Sequence, residues 1–282
     1  MVLKIIKYNI KEIIEKYEIR PKKKLGQNFI FDKNILNKIT ERIEPLNNFL
    51  IVEIGPGPGG LTNMLLKKKP KSILLIEKDL AFKKILEDLT SQFSKIDTKI
   101  MMQDFLKIDL YNSEIFKKNK VKFISNLPYY ISTQILMKIL PLEKNVYQLI
   151  FMFQKEVADR LLAKPNNKDY SRLSVITQYS CEIKKLFNIR ASVFFPKPKV
   201  DSCLLSFTPK NKIRKDIFNA IKKITKLAFE KRRKTINNSL SSIEGINKLF
   251  INLKINPHFR AENISVEQYT ALAVTAVKEK LI

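Results

Sequence analysis

One short stretch of the sequence constrains the fold more than any other feature. Residues 49–61 read FLIVEIGPGPGGL, in which an apolar run interrupted only by Glu53 precedes three spaced glycines. The apolar run is typical of a buried parallel strand. Gly55, Gly57 and Gly60 let the backbone turn tightly and approach a ligand closely, and the following residues predict a helix. A strand, a glycine turn and a helix are typical of the ligand-binding edge of an open α/β sheet.

The alternation of strands and helices continues towards the middle of the chain. Strands are predicted at residues 73–76, 99–102, 121–125 and 146–153, with helices at 79–89 and from 155 onwards. This pattern predicts a parallel sheet with helices on both faces. Glu77, Asp104 and Asn126 stand just past the ends of three of these strands. Because parallel strands end at the same edge of a sheet, we expect these side chains to meet at a ligand site.

The N-terminal part carries two helix signals before this sheet begins. Apolar residues recur at helical spacing between Leu3 and Tyr17, and Pro21 ends the predicted helix. Asp32 has the position of an N-cap, and the helix after it is expected to run to about Arg42.

The regular alternation of strands and helices ends in the C-terminal part of the chain. Residues 183–189 and 203–207 predict an antiparallel strand pair at the sheet edge, joined by a turn at 194–199, whereas the pattern from 211 onwards is helical only. Within that part, residues 226–234 predict a basic helix. We therefore predict an N-terminal helical extension (1–21), an α/β domain (22–210) and a helical C-terminal domain (211–282).

Charge points to a polyanionic partner, nucleic acid first. The formal net charge is +26 and the pI is near 9.9. Compositional drift contributes, since 44 of the 53 basic residues are Lys and 9 are Arg. Drift alone would spread the charge evenly, yet residues 197–282 carry 18 basic and 7 acidic residues, a denser excess than the rest of the chain. Both causes therefore contribute, and we expect the C-terminal domain to contact nucleic acid.

Other classes of protein are disfavoured by composition. No apolar run approaches the roughly 18 residues of a membrane span, and the N-terminus lacks the layout of a signal peptide. His258 is the single histidine, and Cys181 and Cys203 stand far apart. We therefore expect no metal site, no disulfide framework and no histidine-based catalysis, in a cytoplasmic protein.

Two cofactors suit the glycine turn. Gly55, Gly57 and Gly60 formally satisfy the dinucleotide motif G-x-G-x-x-G, which is weak on its own. Hydride transfer from NAD would need reactive groups near the sheet edge, and no His or Cys is predicted there. S-adenosylmethionine fits the acids better. Glu53 offers a carboxylate near its cationic end, Glu77 can accept its ribose hydroxyls, and Asp104 can accept its adenine amine.

The most specific short motif is Asn126-Leu127-Pro128-Tyr129. The exocyclic amine of adenine is a poor nucleophile, and acceptors that hold its hydrogens help the nitrogen pyramidalise towards a methyl donor. The side-chain oxygen of Asn126 and the carbonyl of Leu127 can serve as these acceptors, and Pro128 fixes the backbone that presents them. Tyr129 supplies a stacking face for an extruded base. The alternative interpretation is a helix-capping turn with a buried tyrosine.

With these residues in view, the chain resembles the small-subunit dimethyladenosine transferases, a family of ribosomal RNA adenine dimethyltransferases. The resemblance covers about residues 23–268. It rests on Leu25-Gly26-Gln27-Asn28-Phe29, Glu53-Ile54-Gly55-Pro56-Gly57, Glu77, Gln103-Asp104, Asn126 to Tyr129, Gln154 to Val157, Arg172-Leu173-Ser174, Pro196 to Ser202, Arg232-Arg233-Lys234 and Ala261-Glu262. It implies a Rossmann-like, S-adenosylmethionine-dependent methyltransferase sheet with a small all-α C-terminal domain. It also implies dimethylation of two adjacent adenosines near the 3′ end of small-subunit rRNA.

The resemblance also implies roles for single residues. Cofactor binding is expected for Asn28, Ile30, Gly55, Glu77, Asp104 and Asn126, joined by Glu53 and Gly57 from the glycine turn. Phe194 is expected to pack on the target base opposite Tyr129. Candidate RNA contacts are Lys23, Lys24, Arg172, Lys231, Arg232, Arg233 and Lys234. The chain departs from the family pattern at Pro58, Tyr130, Ser171 and Arg190-Ala191, and the last change leaves the loop carrying Phe194 less rigid.

The expected partner is small-subunit rRNA in an assembling ribosomal subunit, bound by a monomer without metal or membrane. A sister class that methylates large-subunit rRNA shares the fold and the site. The C-terminal helical domain and residues 196–202 favour the small-subunit branch. A non-catalytic RNA-binding assembly or transcription factor on the same fold is an alternative of another class, and the intact motif at 126–129 speaks against it.

Overall fold

The structure is a computed structural model that describes residues 10–210, 213–231 and 233–282, apart from the side chains of Ile10, Lys11 and Lys23. Within these residues, seven strands form one sheet in the order β4-β3-β2-β5-β6-β9-β7. The strands are β2 (Leu50–Ile54), β3 (Ser72–Glu77), β4 (Asp97–Met102), β5 (Val121–Asn126), β6 (Val146–Gln154), β7 (Cys181–Ile189) and β9 (Ser202–Pro209). A separate two-stranded ladder joins β1 (Phe29–Ile30) to β8 (Phe194–Phe195) in antiparallel register.

The helices alternate with these strands and then follow them. They are α1 (Ile10–Lys16), α2 (Lys33–Glu41), α3 (Gly60–Lys67), α4 (Lys83–Ser91), α5 (Glu114–Lys117), α6 (Ser132–Ile139), α7 (Lys155–Leu162), α8 (Arg172–Ser180), α9 (Lys215–Glu230), α10 (Ile236–Ser239), α11 (Ile246–Asn252) and α12 (Val266–Lys278). None of the described helices is long and apolar enough to cross a membrane.

The central strands pair as the sequence predicts. β2 lies between β3 and β5 in parallel register, β3 pairs in parallel with β4, and β5 pairs in parallel with β6. Every residue of β2 and β3 is buried, as expected of strands covered on both faces. In this register Ile54 faces Ile76 and Glu77 faces Met102. The chain therefore leaves these strands at one common edge.

Local capping explains where several helices begin. The side chain of Asp32 accepts hydrogen bonds from the backbone N–H groups of Asn34 and Ile35, so the predicted N-cap of α2 is confirmed. The helix predicted from residue 79 begins instead with a 3₁₀ turn, Leu80–Phe82, because Asp79 caps Ala81; α4 starts only at Lys83.

The basic helix predicted over residues 226–234 is wrong in its second half. α9 ends at Glu230, and the backbone of Lys231 leaves the helical region with φ −114° and ψ 65°. Arg233 and Lys234 therefore lie in a turn, and Arg232 lies outside the described residues. The predicted N-terminal helix is described only from Ile10 onwards.

Two compact units divide the chain at other points than residue 210. The first contains the described residues up to Lys138 together with Glu143–Lys155 and Lys185–Ser206, and the second contains Ile139–Leu142, Glu156–Lys184 and Phe207–Ile282. Glu156–Lys184 joins the second unit because α8 packs on α9 and α12. The hydroxyl of buried Tyr170 donates to the carbonyl of Ile264 at 3.1 Å inside this unit.

Candidate active site

A pocket opens in the first unit at the edge where the parallel strands end. It is lined by residues from the glycine turn, from the ends of β3 and β5, and from the segment before β1. The structure brings together at this pocket Asn28, Ile30, Glu53, Gly55, Gly57, Glu77, Asp104, Asn126, Leu127, Pro128 and Tyr129. Of the predicted cofactor and catalytic residues, Phe194 is the one that does not line it.

Gly57 shows why the turn after β2 needs glycine. Its φ is +56°, a region that residues with a side chain rarely adopt, and a Cβ built there would lie 3.1 Å from the ring of Phe29. Its backbone N–H donates to Oε2 of Glu77 at 3.0 Å. The close approach of this backbone to the pocket therefore depends on the missing side chain.

Glu77 is buried, and both of its carboxylate oxygens accept backbone hydrogen bonds. Oε1 accepts from the N–H of Asp79 at 2.7 Å, and Oε2 accepts from Gly57. Burial raises the pKa of this carboxyl, while the backbone donors act in the opposite direction. Because a carboxylate has about four acceptor sites, capacity remains for a ribose hydroxyl beside the backbone donors.

Glu53 lies deeper in the same pocket. Its Oε2 accepts a hydrogen bond from the hydroxyl of Thr62 at 2.7 Å, and both residues are buried. Burial raises the pKa of Glu53 to about 8; the Thr62 bond lowers it, and the neighbouring Glu77 raises it further. Without a cation beside it, Glu53 therefore holds its proton at neutral pH, and a cationic ligand would favour the carboxylate.

Asp104 faces the pocket with a charged neighbour that the sequence interpretation missed. Its Oδ2 forms an ion pair with Nζ of Lys78 at 2.8 Å, and its Oδ1 accepts from the N–H of Leu106 at 3.0 Å. The bond from Lys78 holds the pKa of Asp104 below its ordinary value. The carboxylate is therefore ionised and can accept a further donor such as an adenine amine.

The Asn126 side chain ends β5 in a defined orientation. Its Nδ2 donates to the backbone carbonyl of Asn28 at 2.8 Å, which leaves the side-chain oxygen as the atom that can accept a hydrogen bond. Leu127 is buried, and Pro128 holds φ −58° and ψ 125° ahead of the 3₁₀ turn Tyr129–Ile131. The motif thus presents two acceptors, the Asn126 side chain and the Leu127 carbonyl, from a fixed backbone.

Tyr129 is half-buried, and its phenol oxygen lies 2.5 Å from Oγ of Ser202, the first residue of β9. Burial raises the pKa of this phenol, an effect that the Ser202 bond opposes. The hydroxyl is therefore neutral and anchored to the sheet. This anchor was not predicted, because residues 196–202 were interpreted only as a segment of the family pattern and Ser202 lies far from Tyr129 in sequence.

Phe194 is buried beside residues that line the pocket but does not line it itself. It is 4% exposed and belongs to the hydrophobic core with Phe29 and Ile30, whereas its neighbour Phe195 is 46% exposed and stacks on Phe31 with ring centroids 5.4 Å apart. Successive residues of a strand point to opposite faces, and pairing of Phe194 with Ile30 turns its ring inward. Its contact with the target base opposite Tyr129 stays a prediction.

The predicted RNA contacts fall into two groups. Lys24, Lys231, Arg233 and Lys234 are exposed, while Arg232 and the side chain of Lys23 lie outside the described residues. Arg172 is half-buried: its Nη2 donates to the carbonyl of Lys222 at 3.4 Å, and its buried Nε has no hydrogen-bond partner. Arg172 therefore contributes to the contact of α8 with α9. In the described part of the chain, no group of three or more His, Cys, Asp or Glu could hold a metal ion.

The sheet order, the acids past the strand ends and the Asn-Leu-Pro-Tyr turn define a methyltransferase of the Rossmann-like type, which confirms the predicted fold class. The chain belongs to the ribosomal RNA adenine dimethylase family, whose pattern matches residues 18–278.

Similar proteins carry related names. The ribosomal RNA small subunit methyltransferase A of Francisella tularensis subsp. tularensis (strain WY96-3418) is 40% identical over 261 residues, covering 91% of this chain and 98% of that protein. The protein of the same name from Blochmanniella pennsylvanica (strain BPEN) is 41% identical over 256 residues, covering 89% and 94%.

Two solved structures have the same fold. A dimethyladenosine transferase from Plasmodium falciparum has a TM-score of 0.75 and 24% identity, covering 90% of this chain and 98% of that chain. The 23S rRNA methyltransferase ErmE has a TM-score of 0.64 and 20% identity, covering 90% and 99%.

Proposed function

We propose that this protein transfers methyl groups from S-adenosylmethionine to the N6 amines of two adjacent adenosines near the 3′ end of small-subunit rRNA. The observation that carries the proposal is the pocket itself. It combines the Asn126 acceptor, the Tyr129 ring and the acids Glu77 and Asp104. The relatives named ribosomal RNA small subunit methyltransferase A support the choice of substrate.

The pocket fits the proposed cofactor at several points. The glycine turn leaves open space at Gly55, where an added Cβ would meet nothing within 4 Å, and Glu77 keeps acceptor capacity for a ribose hydroxyl while it binds backbone N–H groups. Asp104 is an ionised acceptor for an adenine amine. Glu53, which holds a proton at neutral pH, becomes a carboxylate when a cation lies beside it.

The chemistry assigned to the chain is positioning. S-adenosylmethionine, when bound, supplies the activated methyl group. The Asn126 oxygen and the Leu127 carbonyl hold the hydrogens of the adenine amine, which directs the nitrogen lone pair out of the ring plane. The ring of Tyr129 stacks on the base and keeps it extruded. No strong base is required, because the proton leaves after the nitrogen has formed its new bond and become cationic.

The proposal extends to the setting of the reaction. We place the enzyme in the cytoplasm as a monomer that acts on an assembling small subunit, with exposed Lys24, Lys231, Arg233 and Lys234 as candidate phosphate contacts. Methylation of large-subunit rRNA is the alternative substrate, supported only by the shared fold of ErmE. A non-catalytic role is disfavoured by the intact acceptor geometry at Asn126.

The cofactor assignment is tested by calorimetry with S-adenosylmethionine, S-adenosylhomocysteine and NAD. We expect the first two to bind and NAD not to bind. Glu77→Ala should weaken binding by about 1.5–3 kcal/mol because a charged acceptor for the ribose is lost. Binding of NAD, or unchanged affinity in the variant, would contradict the assignment.

A further inference from the structure

A third buried carboxylate, that of Asp79, does not line the pocket and lies two residues beyond Glu77. Oδ1 of Asp79 accepts from Nζ of Lys22 at 2.7 Å and from the N–H of Ala81 at 3.1 Å, and Oδ2 accepts from Nε2 of Gln27 at 2.8 Å. The backbone N–H of Lys22 donates to Oε1 of Gln27 at 2.8 Å, which closes the ring of contacts. Burial alone would raise the pKa of Asp79, but the donors from Lys22 and Gln27 outweigh it and hold the pKa low.

Asp79 is also bonded to the cofactor edge. Its backbone N–H donates to Oε1 of Glu77 at 2.7 Å, while Gly57 holds the other oxygen of that carboxylate. Asp79 therefore binds Glu77 through its main chain and binds the segment before β1 through its side chain.

That segment, residues 22–30, is called the arm here. The arm contributes Leu25, Gly26, Gln27, Asn28, Phe29 and Ile30 to the wall of the pocket. At its far end the carbonyl of Asn28 accepts from Asn126. The ring of Phe29 packs edge-on against Phe82 at 5.7 Å between centroids. Near its start, the side-chain contacts that fix the arm are those of Lys22 and Gln27 with Asp79.

We propose that Asp79 is a positioning residue for the cofactor: it holds the arm against the cofactor edge of the pocket and thereby sets cofactor affinity. The inference rests on the proposed function, since the ligand is the cofactor named there. Asp79 and Lys22 do not line the pocket. Any effect that they have on binding must therefore pass through bonded neighbours that line it, which are Glu77, the arm and Phe82, whose N–H donates to the Asp79 carbonyl at 3.1 Å; substitution of the Asp79 side chain leaves that last bond in place.

The variant Asp79→Asn tests this contact with almost no change in shape. The Asn oxygen can accept from Lys22 or from Gln27, and the Asn amide then faces the other donor with its own N–H groups. Gln27 cannot relieve the clash by turning its amide over, because it would lose the bond from the backbone of Lys22. The arm thus loses its bond to residue 79 from either Lys22 or Gln27, while the hydrogen bond that caps Ala81 can remain.

Asp88→Asn is a control that makes the same change at a more exposed carboxylate, 41% exposed against 5% for Asp79. Like Asp79, Asp88 binds an N-terminal residue: it accepts a hydrogen bond from the hydroxyl of Tyr17 at 2.5 Å. It also forms an ion pair with a lysine, Lys84, at 2.9 Å. Asp88 neither lines the pocket nor bonds to Glu77. A loss of general stability should therefore appear in both variants as a lower melting temperature. A loss of cofactor affinity should appear in Asp79→Asn alone.

The experiment is calorimetry with S-adenosylhomocysteine on the wild type, Asp79→Asn, Lys22→Met, the double variant and Asp88→Asn. We expect Asp79→Asn to weaken binding about tenfold, as for loss of one charge-assisted hydrogen bond. Lys22→Met should weaken it about threefold, because an ion pair with a half-exposed lysine contributes less. The double variant should bind no more weakly than Asp79→Asn, and Asp88→Asn should stay within about twofold of the wild type.

Kinetics give the second readout. The KM of Asp79→Asn for S-adenosylmethionine should rise about tenfold, with kcat at saturation within about threefold of the wild type. Wild-type-like affinity in both Asp79→Asn and Lys22→Met, or a fall in kcat at unchanged KM, would overturn the inference. A wild type that fails to bind either cofactor form would overturn the proposed function instead, which keeps the two failures distinguishable.

Discussion

Tyr129 carries two separable features, an aromatic face at the pocket and a hydroxyl bonded to Ser202 at 2.5 Å. Ser202 is fully buried. If the ring stacks on the adenine, the face is needed for methyl transfer and the hydroxyl is needed only for structure. Tyr129→Ala removes both features, and Tyr129→Phe removes only the hydroxyl.

The magnitudes follow from these contacts. Stacking of a base on an aromatic ring contributes about 1–3 kcal/mol, and about 1.4 kcal/mol corresponds to tenfold in rate. Tyr129→Ala should therefore lower kcat/KM by roughly one to two decades, while Tyr129→Phe should stay within a few-fold of the wild type. Tyr129→Phe leaves the buried Ser202 hydroxyl without its partner and should lower the free energy of unfolding by about 1–3 kcal/mol. Ser202→Ala in the same chain should recover part of that loss.

The assay is single-turnover methylation of assembled small subunits, with unfolding by denaturant measured in parallel. Affinity for S-adenosylhomocysteine is the control, and it should remain nearly unchanged in both Tyr129 variants. A folded Tyr129→Phe protein that is as inactive as Tyr129→Ala would refute the stacking argument, because the hydroxyl would then have a chemical role.

Three further predictions use other features of the chain. Gly57→Ala and Gly55→Ala share the cost of a positive φ, but only Gly57→Ala adds a Cβ 3.1 Å from the Phe29 ring, since nothing lies within 4 Å at Gly55. Gly57→Ala should therefore lower the free energy of unfolding by roughly 1–3 kcal/mol more than Gly55→Ala does. Equal losses in the two variants would contradict this. The folded-state pKa of Glu53 is raised to about 8 from its ordinary value of 4.5, so the folded chain keeps a proton that the unfolded chain releases in this range. Stability should therefore fall as pH rises from 4.5 to about 8; the free energy of unfolding measured at both pH values should show this fall in the wild type and not in Glu53→Gln. Replacing both Arg233 and Lys234 by Gln should flatten the log–log salt dependence of rRNA binding by roughly one to two units, and an unchanged slope would mean that these exposed residues do not contact phosphate.

The sequence predicts the fold where signals are local and repeated. The apolar runs of β2, β3 and β5, the glycine turn after β2 and the Asp32 cap each stand within a few adjacent residues, and each is confirmed. Because parallel strands end at one edge, the order of the acids along the chain was enough to predict that they line one pocket.

Other features depend on partners distant in sequence. The ladder of β1 with β8 has two residues on each side, too few for a period-2 pattern, and it places Phe194 in the core. The bonds from Tyr129 to Ser202 and from Lys22 to Asp79 join residues 73 and 57 positions apart. α8 was missed because six of its nine residues are buried, so it has no clear polar face.

Methylation of adenosine in small-subunit rRNA at this pocket can be measured on the RNA itself. The most direct measurement is mass spectrometry of rRNA from unmethylated small subunits after incubation with the protein and S-adenosylmethionine, beside the Asn126→Ala variant. We expect N6,N6-dimethyladenosine at two adjacent positions near the 3′ end with the wild type. Asn126→Ala should lose more activity than either Tyr129 variant, because an acceptor aimed at the amine is gone. No dimethyladenosine with the wild type, or an equal yield with Asn126→Ala, would contradict the proposed function.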